Sequence, residues 1–122
     1  MTFEQFKTCV RAYFPGTRFY GELVYLFPND MTKHKRNKEA LALLCKEFHL
    51  PYSRKPDKNF WKADPLVIEH RQYPWSTDEH EAGDTNYSYS YIGDPVVLKT
   101  EASLLRLLKL AHDSNCFHYN KD

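Results

Sequence analysis

The chain has 122 residues, a length typical of one domain built around one hydrophobic core. Its content of 42% hydrophobic and 16% aromatic residues excludes a wholly disordered chain. The sequence contains no run of about 18 apolar residues, the length that a membrane-spanning helix requires. The net charge of +1 conceals an asymmetry, because residues 1–61 contain 11 Lys and Arg against 6 Asp and Glu, whereas residues 62–122 contain 6 against 10. This division favours two surfaces of opposite sign.

The chain begins with a predicted helix. Thr2 and Gln5 form a capping-box pattern, in which each side chain bonds the backbone N–H of the other residue. Apolar residues then recur at helical spacing until the Pro15-Gly16 turn; they are Phe3, Phe6, Val10, Tyr13 and Phe14.

Two further elements follow this turn. Residues Thr17 to Phe27 are rich in aromatic and β-branched side chains, which predicts a central strand with a bulge at Gly21. A second helix is predicted from about Thr32 to His49, with the polar residues Lys33 to Lys38 in its opening turns.

The second half of the chain predicts an antiparallel hairpin and a last helix. The pattern predicts two strands, Leu66 to Tyr73 and Thr85 to Ile92. A polar, acidic loop at 74–84 connects them. Val96 to Leu98 extends the sheet, and Thr100 caps the last helix. The predicted fold is a single α+β domain over 1–122, with a small antiparallel sheet of about three to four strands packed against about three helices.

The three cysteines are far apart and odd in number, which favours free thiols over a disulfide framework. No secretory leader or membrane anchor is recognised at Met1 onwards. We therefore expect a reducing, cytoplasmic location.

The predicted hairpin carries the main functional hypothesis, a non-enzymatic protein-binding module. Tyrosines offer large contact areas, and neighbouring carboxylates complement a basic partner. By analogy of class alone, such a module resembles an inhibitor of a nuclease or of another nucleic-acid-handling protein. The predicted partner-binding residues are Asp78, Glu79, Glu81, Asp84, Tyr87, Tyr89 and Tyr91.

The basic region between residues 33 and 62 supports an alternative, direct binding of nucleic acid. Lysine and arginine side chains that contact phosphates release counterions and give affinity without sequence specificity. The predicted anion-binding residues are Lys33, Lys35, Arg36, Lys38, Arg54, Lys55 and Lys58.

A third hypothesis is a small hydrolase or nuclease. Its acid–base groups would come from residues such as His34, His70, His80, Glu79 and Glu81, but these match no catalytic motif. No cofactor is expected, because a phosphate-binding glycine loop is lacking.

The sequence also contains one compact group of potential metal ligands. His112, Cys116 and His118 form an H-x3-C-x-H pattern, but no fourth ligand lies nearby in the sequence. A metal site is not predicted, and none of these patterns names a family.

Overall fold

The computed structural model describes residues 1–51, 64–71 and 95–118. In chain order its elements are α1 Phe3–Tyr13, β1 Phe19–Tyr20, β2 Leu23–Leu26, α2 Lys38–Phe48, β3 Leu66–Glu69, β4 Val96–Val97 and α3 Glu101–Ser114. Three helices and one four-stranded sheet within these ranges confirm the predicted α+β class.

Two of the helices begin where their capping residues predict. The Thr2 hydroxyl accepts from the Gln5 backbone N–H at 3.1 Å, and the Thr2 N–H donates to the Gln5 side chain at 2.8 Å. The Thr100 hydroxyl likewise accepts from the Ser103 N–H at the start of α3. Each cap satisfies backbone donors that have no partner inside the helix.

The predicted start of the second helix is wrong, since α2 begins at Lys38 rather than near Thr32. The side chain of Asp30 accepts from both the N–H and the hydroxyl of Thr32, which holds the chain in a turn. Asn37 then caps α2 by accepting from the N–H groups of Glu39 and Ala40. Residues 33–37 therefore belong to a loop that precedes α2.

The strand predicted from Thr17 to Phe27 is two strands joined by a tight turn. Tyr20 pairs with Leu23, so Gly21 and Glu22 alone connect β1 to β2. Gly21 has φ of +64°, a backbone conformation that favours glycine, and it forms this turn rather than the predicted bulge.

The sheet has the order β1-β2-β3-β4, so of the central strand predicted from Thr17 to Phe27, only the β2 part is central, and β1 lies at the edge of the described sheet. β1, β2 and β3 are antiparallel neighbours, but β4 is parallel to β3, and the sheet is mixed rather than antiparallel throughout. The strand predicted at Thr85 to Ile92 lies outside the described residues.

The core lies between one face of this sheet and the helices. α3 is packed against both α1 and α2. The fully buried sheet side chains of this core are Val24, Leu26 and Ile68, and Val67 is buried on the other face of β3. The fully buried helix side chains of this core are Phe6, Val10, Leu41, Leu44, Leu104, Leu107, Leu108 and Ala111. Their burial supplies the main driving force for folding.

α2 and α3 run in opposite directions. The Asn37 N–H at the start of α2 donates to the Ser114 carbonyl at the end of α3, at 2.8 Å. Near the other end of α2, Arg106 donates two hydrogen bonds to the Glu47 carboxylate, which lower the pKa of Glu47. These contacts place the loop before α2 beside the C-terminus of α3.

None of the three helices within the described ranges is long and apolar enough to cross a bilayer. Cys9, Cys45 and Cys116, all within the described ranges, form no disulfide bond; Cys9 and Cys116 are buried and Cys45 is half-buried.

Candidate functional site

Residues 31–38, which we name the basic loop although Lys38 is the first residue of α2, border an open basin of about 380 Å³. The residues that line this basin are Met31, Thr32, Lys33, His34, Lys35, Arg36 and Lys38. Four of the seven residues that we predicted to bind anions, Lys33, Lys35, Arg36 and Lys38, therefore share one surface. The other three, Arg54, Lys55 and Lys58, lie outside the described residues.

The end of α3 holds the basic loop in place. The Asn115 side chain donates to the Lys35 carbonyl at 2.8 Å, and the Ser114 carbonyl accepts from Asn37 at the same distance. Just before the loop, Asn29 donates its N–H to the Cys116 carbonyl and its side-chain amide to the Asn115 carbonyl. Hydrogen bonds hold the chain just before the loop, at its middle and at its end. Because the loop is already ordered, it would lose little conformational entropy on binding a ligand.

Some cations of the described surface form ion pairs with carboxylates, whereas those of the basic loop, like Arg11, Lys46 and Lys99, form none with a described residue. Lys7, Arg71, Arg106 and Lys109 each form an ion pair with a carboxylate. Across residues 1–51, 64–71 and 95–118, no ion pair involves Lys33, Lys35, Arg36 or Lys38. No carboxylate of the described residues therefore neutralises these four charges by direct contact.

One carboxylate, Asp30, stands at the start of the basic loop. Hydrogen bonds from Thr32 lower the pKa of Asp30, and the nearby charges of Lys33 and His34 lower it further. Asp30 is therefore ionised at neutral pH, but its Oδ1 is engaged within its own turn.

Arg36 lines the basin and carries a buried donor. Its side chain is half-buried, and its Nε is buried without an acceptor among the described residues. A buried donor without a hydrogen-bond acceptor lowers the stability of the folded state. The same guanidinium lies close enough to Cys116 to oppose the rise that burial causes in the pKa of that thiol.

A second feature lies on the face of the sheet opposite the helices. Tyr20, Tyr25, Phe27 and His118 form a chain of ring contacts, which we name the aromatic row. The ring centroids of Tyr20 and Tyr25 are 5.3 Å apart and stacked, and those of Phe27 and His118 are 6.0 Å apart and stacked. Tyr25 and Phe27 are 6.1 Å apart, edge to face.

The strand pairing explains why these rings share a face. Directly paired residues point to the same side of a sheet, and successive residues alternate. Phe19, Val24 and Leu26 belong to the helix-side core, so Tyr20 and Tyr25 project to the other side. Tyr20 is 49% exposed.

The sequence-based reasoning missed the aromatic row, although a signal for it was present. Tyr25 and Phe27 alternate with Val24 and Leu26, which is the pattern of one buried and one outward face. The prediction of one central strand from Thr17 to Phe27 does not separate these two faces.

The predicted partner-binding residues Asp78, Glu79, Glu81, Asp84, Tyr87, Tyr89 and Tyr91 all lie outside the described residues. Binding of a protein through that segment stays a prediction.

The histidines that we considered for acid–base chemistry differ in their burial and contacts. His70 is only 3% exposed, and its Nε2–H donates to the Met1 carbonyl at 2.9 Å. Its Nδ1 is 3.2 Å from the Glu22 carboxylate, and its ring packs against Phe3 and Phe6. His70 therefore ties β3 to α1 and the β1–β2 turn. His34 is exposed in the basic loop, and His80 lies outside the described residues.

The potential metal ligands near the end of α3 have separate neighbours. His112 contacts the rings of Tyr13 and Phe14, whereas His118 stacks on Phe27. Burial raises the pKa of the Cys116 thiol, which disfavours the thiolate that binds metal. Among the residues that the structure describes, no group of three His, Cys, Asp or Glu is placed to hold a metal ion.

The chain matches no family model, no curated protein and no solved structure.

Proposed function

We propose that this protein binds nucleic acid, with the basic loop contacting the phosphate backbone. The observation that carries this proposal is the concentration of Lys33, Lys35, Arg36 and Lys38 around one basin, without ion pairs among the described residues. Phosphates recruited to such a surface release condensed counterions, which is a large source of affinity.

The local electrostatics indicate which groups would meet the phosphates. The Asn37 side chain already accepts from the first-turn N–H groups of Glu39 and Ala40. Lysine side chains, rather than these two backbone donors, would therefore contact the ligand. The partial negative charge at the C-terminus of α3 stabilises the cations of the adjoining loop.

A charge-removal experiment tests the proposal. A variant that combines Lys33→Gln, Lys35→Gln and Lys38→Gln is expected to bind an oligonucleotide at least tenfold more weakly at about 50 mM salt. The slope of log K against log[salt] is expected to become shallower by about 2 to 3, since each phosphate contact contributes roughly 0.7 to 0.9. Fluorescence anisotropy between about 50 and 200 mM salt measures both quantities.

The matched control combines Lys46→Gln, Lys99→Gln and Lys109→Gln, which removes the same charge outside the basic loop. This control is expected to keep most of the affinity and of the salt slope. Equal weakening in both variants would mean that only the total charge matters, and no measurable binding by the wild type would contradict the proposal outright.

A further inference from the structure

We infer that the nucleic acid bound here is single-stranded, with unpaired bases stacking on the aromatic row while the phosphates meet the basic loop. This inference rests on the proposed function and adds the class of ligand. Single-strand binders of low sequence specificity combine a cationic groove with aromatic rings on which bases stack. Both features are present here on neighbouring parts of the chain.

The basic loop follows the aromatic row closely along the chain. Phe27 and Met31 are four residues apart, so they are separated by at most about 14 Å. The connection is fixed, because the His118 N–H donates to the Phe27 carbonyl at 3.0 Å and Pro28 forms a β-bridge with Phe117. An oligonucleotide of about 12 residues is expected to be long enough to contact both features.

Tyr20 is the ring most available to a base. It lies on β1, the edge strand of the described sheet, and about half of its surface is exposed. The ring stacks on Tyr25 at 5.3 Å, which fixes its orientation before any ligand arrives. A ring that is already ordered loses little entropy when a base stacks on it.

The ring contacts distinguish a single strand from a duplex. The faces of paired bases are covered by their neighbours in a double helix, so a duplex offers phosphates to the basic loop but no base face to Tyr20. A free strand offers both. Preference for the single strand is therefore the specific consequence of the aromatic row.

The experiment compares three ligands of equal length, about 12 residues, within the roughly 4–16 nucleotides that a small single-strand-binding fold covers. They are oligo-dT, a duplex of mixed sequence, and an abasic strand with the same phosphodiester backbone. The wild-type chain is expected to bind oligo-dT at least tenfold more tightly than the abasic strand. An oligo-U arm shows whether RNA is bound as well as DNA.

Tyr20→Ala is expected to weaken oligo-dT binding roughly tenfold while leaving abasic binding and the salt slope unchanged. Tyr20→Phe keeps the ring and is expected to bind as the wild type does. Circular dichroism checks the fold of each variant, and if Tyr20→Ala fails to fold, the wild-type comparison of oligo-dT with the abasic strand decides the question.

Equal affinity of the wild type for oligo-dT and the abasic strand, or of folded Tyr20→Ala and wild type for oligo-dT, would overturn this inference. If binding in either case still depends on Lys33, Lys35 and Lys38, the proposed phosphate contact stands without base stacking. If no oligonucleotide binds at all, both the inference and the proposed function fail.

Discussion

Replacing Phe6 with alanine is expected to lower the free energy of unfolding by about 3–5 kcal/mol. The Phe6 side chain is completely buried. The centroid of its ring is 5.9 Å from that of Phe19 and 5.4 Å from that of His70. Truncation would remove apolar burial and leave a cavity between α1 and the sheet. Since small domains are stable by about 5–15 kcal/mol, the variant would lose a large share of its stability.

Urea unfolding followed by circular dichroism measures this loss. Leu43→Ala is the matched control, because Leu43 is 43% exposed and its truncation is expected to change the free energy of unfolding by roughly 0.5 kcal/mol or less. A cost below about 1 kcal/mol for Phe6→Ala would show that α1 is not packed as described.

His70→Ala is expected to lower the free energy of unfolding by about 2–4 kcal/mol. The substitution removes the ring that packs against both Phe3 and Phe6, and it leaves the Met1 carbonyl and the Glu22 carboxylate without their imidazole partner. The loss therefore combines packing with unmade hydrogen bonds. Urea unfolding measures it, with Glu22→Gln as a milder variant that retains an acceptor.

A double-mutant cycle links these two predictions. Phe6 and His70 are in direct contact, so their substitutions are expected to couple by about 0.5–3 kcal/mol. Strictly additive losses would contradict the contact. His70→Ala is also expected to leave oligonucleotide affinity unchanged in the folded protein, because the buried imidazole has a structural role.

The helices could be predicted from the sequence because their signals are local. Thr2 with Gln5, and Thr100 before a run of leucines, mark helix starts that depend on neighbouring residues alone. The start of α2 was misplaced because a polar stretch carries no hydrophobic period. Asn37, followed by Ala40, Leu41 and Leu44, was the local signal for the correct start.

Local sequence patterns could not predict the parallel pairing of β4. They also could not predict the hydrogen bonds between the end of α3 and the basic loop. Ile68 pairs with Val96, and Asn115 bonds Lys35, across long separations in sequence. Such contacts depend on how the helices pack, rather than on the propensity of either segment. The sequence therefore identified the lysines of the candidate site, but not the scaffold that gathers them around a basin.

The two functional hypotheses place the binding surface on different parts of the chain. Nucleic-acid binding uses the basic loop, whose geometry is described above. Protein binding uses the acidic, tyrosine-rich segment that includes Asp78, Glu79, Glu81, Asp84, Tyr87, Tyr89 and Tyr91. A residue-by-residue map of ligand contacts separates the two hypotheses directly.

The most direct test is a titration of the ¹⁵N-labelled protein with oligo-dT, followed by amide chemical shifts. The largest changes are expected at residues 31–38 and around Tyr20, Tyr25 and Phe27, with little change at the buried centre of α3. Saturating shifts confined to 78–91, or an unchanged spectrum at low salt, would contradict the assignment of nucleic-acid binding to the basic loop.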